Sequence, residues 1–283
     1  MRFLRPYLLV ALCLSAALGK AQIPPPTTLA GIAHVALRVS DLSRSRDFYQ
    51  KLGFEQAFAF TKDGVTTEVF LKVNDRQFIE MYPQQQPPQE IGFMHVCFES
   101  TDLKELNRAY LARGLSPTPV KRAGAGNLLF TMVGPEQQNI EYTQYMPGSL
   151  HSKDQGQHLG ANRISQEIFG VRLRMEDPVV ARAFYEEKLG FHESRNVLEP
   201  ELIPLLMPGP SDQVVEVTPG VFQMLLAVPS LRHTAAQLNA LHIAFEKEKS
   251  MLVVQDPDGN RVAFLTVEPE TGRWPISIPR LTR

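Results

Sequence analysis

The 283-residue chain carries 29 Lys+Arg against 30 Asp+Glu, a formal net charge of -1. That balance, with no basic stripe, excludes a protein that gathers nucleic acid or anionic lipid through a global field, and leaves a small molecule as the expected partner. The length suits one large domain or two modest ones, each able to bury its own core.

Residues 1–21 (MRFLRPYLLVALCLSAALGKA) place Arg2 and Arg5 before an apolar run from Tyr7 to Leu18, followed by the small residues Gly19 and Ala21. This is the pattern of a signal peptide cut after Ala21, which predicts a periplasmic or secreted protein, with an uncleaved N-terminal anchor as the other reading. The run falls short of the roughly 20 residues of a membrane span, so no stable membrane insertion is expected. Cys13 leaves with the peptide and Cys97 remains alone, so stability must come from packing rather than from a disulfide. A Pro-rich linker, residues 22–29, follows.

From Gly31 the alternation of Val35, Leu37 and Val39 has strand period. Ser40-Asp41 then supplies an N-cap, and Leu42, Phe48, Tyr49 and Leu52 recur at helical spacing up to Gly53. A shift of 61 residues lays HVCFESTDLKELNRAYLARGL over HVALRVSDLSRSRDFYQKLGF, so that His34 falls on His95, Asp41 on Asp102, Tyr49 on Tyr110 and Gly53 on Gly114. At the same shift Glu80 lands on Glu141. A third copy opens at GVRLRMEDPVVARAFYEEKLGF, Gly170 to Phe191, where Asp177, Phe184 and Tyr185 match Asp41, Phe48 and Tyr49. A fourth is expected from LHIAFE (Leu241 to Glu246) and the hairpin VVQDPDGNRVAFL, whose Asp256 to Asn260 is taken as a turn rather than a calcium loop. Its spacing from His242 to Ala263 is too short for a whole copy, which predicts a missing helix and strand. Residues 147–166 are polar and Gly-containing, the mark of a linker in which His151 and His158 are solvated. Trp274, in the tail, is expected to cover an edge or an interface.

Side chains of a strand alternate faces, so His34, Ala36 and Arg38 share one face and Val35, Leu37 and Val39 the other. Phe78, Glu80 and Tyr82, then His95, Cys97 and Glu99, then Asn139, Glu141 and Thr143 behave alike. A solvated face also gives such alternation, but has no reason to repeat His and Glu at matched places. Curled around a shared cavity, the four side chains make an N2O2 site for one divalent transition metal: zinc, nickel, cobalt, manganese or iron(II).

With His34, Glu80, His95 and Glu141 on modules marked by DLSRSRDFYQKLGF and its repeats, the chain resembles the vicinal oxygen chelate superfamily of glyoxalases, bleomycin resistance proteins and extradiol dioxygenases. The resemblance implies an α+β fold of tandem βαβββ modules that pair into glyoxalase-like open barrels. The expected units are a metal-binding pair over residues 30–146, a degenerate pair over 167–268 with its last module truncated, and a tail over 269–283. In the later pair Gly170 takes the place of His34, Leu225 lies near that of Glu80, Ala263 takes that of Glu141, and only His242 survives. That pair is expected to hold no metal and to cover the cavity or mediate association as a monomer or homodimer.

The implied chemistry is a glyoxalase I-like lyase or isomerase reaction, in which the metal polarises a hydroxy-carbonyl substrate and Glu141, or alternatively Glu80, acts as base. An extradiol-type ring-cleaving dioxygenase and a metal-free binding protein of bleomycin-resistance type are the alternatives. Arg38, Glu99 and Tyr82 are the candidate substrate-binding residues, with an Arg38–Glu99 pair as the other reading of the first two. Cys97 and the equivalent Tyr49, Tyr110 and Tyr185 are taken as packing residues.

Overall fold

A computed structural model describes residues 28–86, 89–194 and 204–267. The stretch expected to be a signal peptide, most of the expected linker and the tail with Trp274 lie outside the described residues. The first half runs β1 (Leu29–Val39), α1 (Leu42–Lys51), β2 (Gln56–Lys62), β3 (Val65–Asn74) and β4 (Gln77–Pro83). It repeats as β5 (Gly92–Ser100), α2 (Leu103–Ala112), β6 (Lys121–Arg122), β7 (Leu128–Val133) and β8 (Asn139–Gln144). Both helices start on the duplicated aspartate: Asp41 accepts the backbone N–H of Arg44, and Asp102 that of Glu105. The eight strands form one sheet in the order β2-β3-β4-β1-β5-β8-β7-β6, with the two copies joined antiparallel along β1 and β5.

After a short helix α3 (Leu150–Lys153) the pattern repeats as β9 (Glu167–Arg174), α4 (Pro178–Ala183, widening into a π-helical stretch over Phe184–Leu189), β10 (His192–Glu193), β11 (Leu205–Leu206) and β12 (Val214–Thr218). The last copy is β13 (Gln223–Ala227), α5 (Leu231–Ala240), β14 (Glu246–Glu248), β15 (Met251–Gln255) and β16 (Arg261–Leu265). The second sheet has the matching order β10-β11-β12-β9-β13-β16-β15-β14. The fourth module is therefore complete, which corrects the expected truncation. Its first strand is QMLLA rather than LHIAFE, and its helix lies upstream of Leu241. His242 is not on a strand; it comes just after α5 with φ +53, a turn conformation.

The apolar face of each sheet packs on its helices: Val35, Leu37, Tyr49, Leu52, Val96, Phe98, Tyr110 and Tyr142 are buried, and one cluster continues into Ile168, Val171 and Phe264 of the other half. Reciprocal polar contacts lock the halves together. The Asp256–Asn260 turn of module four meets the start of α1, where Asp258 accepts from the Ser40 N–H at 3.0 Å and Tyr49 donates to Asp256 at 3.1 Å. By the same symmetry Glu136 of module two accepts from the N–H groups of Glu176 and Asp177 ahead of α4, and Tyr185 donates to Gln138 at 2.9 Å. Tyr49 and Tyr185 thus bond across the halves as well as packing.

The segment expected to be a solvated linker is anchored. Lys72, fully buried on β3, donates to the carboxylate of Asp154 at 2.7 Å and pairs with Asp75 at 2.8 Å. Gly53 lies so close to Arg163 that a Cβ there would sit 2.4 Å from its Cα. No helix among the described residues is long and apolar enough to cross a membrane.

Candidate metal centre

Register across the four central strands of the first sheet builds the site. Ala36 of β1 lies beside Glu80 of β4 and His95 of β5, while Cys97 of β5 lies beside His34 of β1 and Glu141 of β8. The two rows run Glu80–Ala36–His95 and His34–Cys97–Glu141, and all six side chains rise from the face opposite the helices. Ala36 and Cys97 occupy the same place in the two copies, and their small side chains leave the space between the four larger ones open.

The four tips converge. His34 Nε2 stands 2.7 Å from Glu80, 3.1 Å from His95 Nε2 and 3.5 Å from Glu141, and His95 Nε2 stands 3.7 Å from Glu80 and 3.9 Å from Glu141. Donor atoms bound about 2.1 Å from one divalent cation stand roughly 3 to 3.5 Å apart, so two imidazoles and two carboxylates at these spacings fit such an ion. His34, Glu80 and His95 are buried and suitably spaced to share it, and Cys97 with His34 and Glu141 forms an overlapping group. Burial raises the Cys97 thiol well above its ordinary pKa, and the nearby carboxylates of Glu141 and Glu80 raise it further.

The two carboxylates are held unequally. Burial pushes Glu80 up, but the imidazoles of His34 and His95 overcome it and hold the carboxyl well below the usual range. The Tyr82 hydroxyl also donates to Glu80. Burial lowers His34, and Glu80 with Glu141 outweighs it to leave a raised pKa. The Glu80 side chain is only 4% exposed, whereas that of Glu141 is 17% exposed to the cavity.

The cavity measures about 430 Å³. Phe60, Phe70 and Tyr82 form part of one wall, and the β6–β7 hairpin, with Lys121 and Asn127, forms the opposite rim. Of the three candidate substrate contacts only Tyr82 lines it. Arg38 sits at the far end of β1, and its guanidinium donates to the carbonyl of Glu90 at 3.2 Å. Glu99 is buried and paired with Arg76, whose Nε donates at 2.9 Å, so neither Arg38 nor Glu99 lines the cavity and the two do not pair with each other.

Two lining residues escape sequence reasoning. Glu68 on β3 faces the cavity in alternation with the core residues Val69 and Leu71, and burial beside Glu80 pushes its carboxyl up to about 9. Its exposed-looking context, TTEVFLKV, hides it, although the period-2 pattern puts it in line with Phe70 and Lys72. His151, expected to be solvated, is 5% exposed and lies in the cavity wall. Contacts distant in sequence place it there, among them the Lys72–Asp154 anchor and the bond to Asn127, and local sequence carries no signal of them.

In the second half the four equivalent places hold Gly170, Glu216, Gln223 and Ala263. Register fixes them: Glu216 pairs with Arg172 as Glu80 pairs with Ala36, and Leu225 pairs with Gly170 as Cys97 pairs with His34. Leu225 thus stands at the place of Cys97, and Glu216, in QVVEVTP, is the true counterpart of Glu80 in QFIEMYP. His242 has no part in this constellation. Arg172 replaces the small floor residue Ala36 and donates to Glu216 and to Gln223, both at 2.7 Å. A buried guanidinium stands where the first half gathers donors for a cation.

Residues 31–142 match the family model of the Glyoxalase/Bleomycin resistance protein/Dioxygenase superfamily. A comparison with curated proteins gave no match. Among solved structures, an extradiol ring-cleaving dioxygenase from Brevibacterium fuscum is similar over 90% of this chain and 75% of its own, at 15% identity and a TM-score of 0.65. The Mn(II)-bound glyoxalase from Novosphingobium aromaticivorans is similar over 88% of this chain and 85% of its own, at 15% identity and a TM-score of 0.66. The 2,3-dioxygenase LapB from Pseudomonas sp. KL28 covers 87% of this chain and 98% of its own, at 15% identity and a TM-score of 0.64. Residues 31–142 thus match the glyoxalase, bleomycin resistance and dioxygenase superfamily, and over most of its length the chain has the fold of these solved structures.

Proposed function

We propose that the chain is an exported, metal-dependent lyase or isomerase of the glyoxalase type, acting at a carbon beside the carbonyl of a small hydroxy-carbonyl compound. The observation that carries this reading is the unequal hold on the two carboxylates. Glu80 is fixed by His34 and Tyr82, while Glu141 is the more exposed and stands farther from both imidazoles. When bound by His34, Glu80, His95 and Glu141, a divalent transition metal supplies a Lewis acid that polarises substrate oxygens. Glu141 then serves as base: a carboxylate oxygen that can swing into the cavity takes the proton from the substrate carbon and returns it to a neighbouring atom. Glu80 remains an anchor, kept ionised by the imidazoles. Phe60 and Phe70 narrow the cavity against water, and Lys121 at the rim favours an anionic substrate.

The ring-cleaving alternative draws on the same fold, but a site with two histidines and one carboxylate leaves Glu141 surplus. The test is elemental analysis of the protein purified without chelators, beside Glu80→Gln and Glu141→Gln, with deuterium exchange measured on a panel of hydroxy-carbonyl compounds. The wild type is expected to hold about one transition metal per chain. Glu80→Gln loses it, while Glu141→Gln keeps it and loses at least about 100-fold in exchange rate. Cleavage of catechols with bound iron would favour the dioxygenase. No metal after reconstitution would leave a small-molecule binding protein.

A further inference from the structure

We propose that Asn127 and His151 form a ligand-anchoring pair, which presents a neutral imidazole Nε2–H as a hydrogen-bond donor to an oxygen of the small molecule bound in the cavity; this rests on the cavity being the substrate site of the metal centre.

Four observations converge on it. The ring of His151 lies in the cavity wall and is 5% exposed. Its tautomer is dictated from outside. The side-chain oxygen of Asn127 accepts the N–H of Met146 at 3.1 Å, which leaves the Asn127 amide N–H₂ facing His151 Nδ1 at 2.9 Å. Nδ1 must therefore accept, and the proton of a neutral ring sits on Nε2. Nε2 is buried with no hydrogen-bond partner. An unpaired buried donor costs about 1–3 kcal/mol, and such a group in a native cavity calls for a function. Finally, the ring is immobilised. Tyr145 stacks on it at 4.9 Å between centroids, and Phe58, Phe70 and Phe78 meet it edge-on at 4.8, 5.2 and 4.8 Å.

The ring is also kept uncharged: burial, with His34 and Lys72 nearby, lowers its pKa to about 3. A cationic histidine would compete with a divalent ion for the same cavity, whereas a neutral N–H donor adds to it. The matching ligand class has an oxygen lone pair left over beyond those it gives to a metal, on a carbonyl, a carboxylate or a hydroxamate oxygen.

The experiment uses the full metal-loaded protein and acetohydroxamate, a small bidentate oxygen ligand, as probe. Imidazole ¹⁵N spectra should show His151 as the neutral Nε2–H tautomer and should shift on addition of the probe. His151→Phe keeps the aromatic enclosure and removes the donor. Asn127→Asp replaces the amide donor by an acceptor, which draws the ring proton to Nδ1 and strips it from Nε2. Both variants should retain metal and bind acetohydroxamate about 5- to 30-fold more weakly, the loss of one hydrogen bond to a polar oxygen. Metal retained with affinity unchanged in both variants would overturn this inference alone, as would an Nδ1–H tautomer in the wild type. A wild type that takes up no metal would overturn the reading of the site and this inference with it.

Discussion

At the scale of single residues, small side chains matter as much as the donors. Ala36 and Cys97 separate the four converging tips, and the second half shows the effect of filling that space: Arg172 enters it and bonds Glu216 and Gln223. A guanidinium is never deprotonated in a protein, so this half carries its cation covalently. Glu99 shows the opposite device, a carboxyl used for packing rather than chemistry. Burial pushes it up to about 7, with Arg76 pulling it back. The native protein therefore keeps a proton on Glu99 at pH values where the unfolded chain, at about 4.3, has shed it. The contribution is fully present below pH of about 4.5 and is lost as pH rises through 7. Denaturant unfolding of the wild type between pH 5 and 8 should show this decline, and Glu99→Gln, which cannot ionise, should show a flatter profile. Equal slopes in both would mean that the pair with Arg76 already holds Glu99 ionised in the acid range.

At the scale of elements, period-2 alternation and a self-match at constant shift are strong signals, which is why β1, α1, β5, α2 and the His34, Glu80, His95 and Glu141 set are legible in the sequence. The fourth module is misplaced by such matching because its opening strand QMLLA has no histidine to align and its helix LRHTAAQLNA lacks the Phe-Tyr pair. QVVEVTP against QFIEMYP is the usable signal for Glu216. Arg38 and Glu99 fail as site residues because sharing a face says nothing about distance along the strand. Gly170 carries the contrast between the halves at one position. A Cβ added there would lie 2.5 Å from the Val214 carbonyl oxygen. Gly170→Ala should cost about 1–3 kcal/mol in unfolding free energy by forcing the strands apart. Gly170→His should fail to create a second metal site, as read by unchanged metal content. A stable, two-metal Gly170→His protein would show that the second half is only one substitution from activity.

At the scale of the molecule, the duplication recurs in the contacts between the halves, and one buried joint is made by glutamines. Gln77 opens β4 and Gln213 immediately precedes β12, and each reaches the backbone of the other half. The Ile32 N–H donates to Gln213, while Gln77 accepts the Ile168 N–H at 2.8 Å and donates to the Ile168 carbonyl at 2.9 Å. Ile32 and Ile168 lie two residues before His34 and Gly170, so these bonds fix β1 and β9 against each other directly beneath the site. One continuous apolar cluster spans the same boundary. The halves should therefore unfold in a single transition rather than as separate domains. Gln77→Leu leaves the buried N–H and carbonyl of Ile168 without these partners, and each orphaned group costs about 1–3 kcal/mol. Calorimetry of the full chain should show one peak for the wild type and a lower Tm for Gln77→Leu. If β1 depends on this joint for its position, the variant should also bind metal more weakly although Gln77 touches none of the four donors. Two resolved peaks in the wild type would mean that the first sheet holds the site without help, and would reduce the second half to a passive cover.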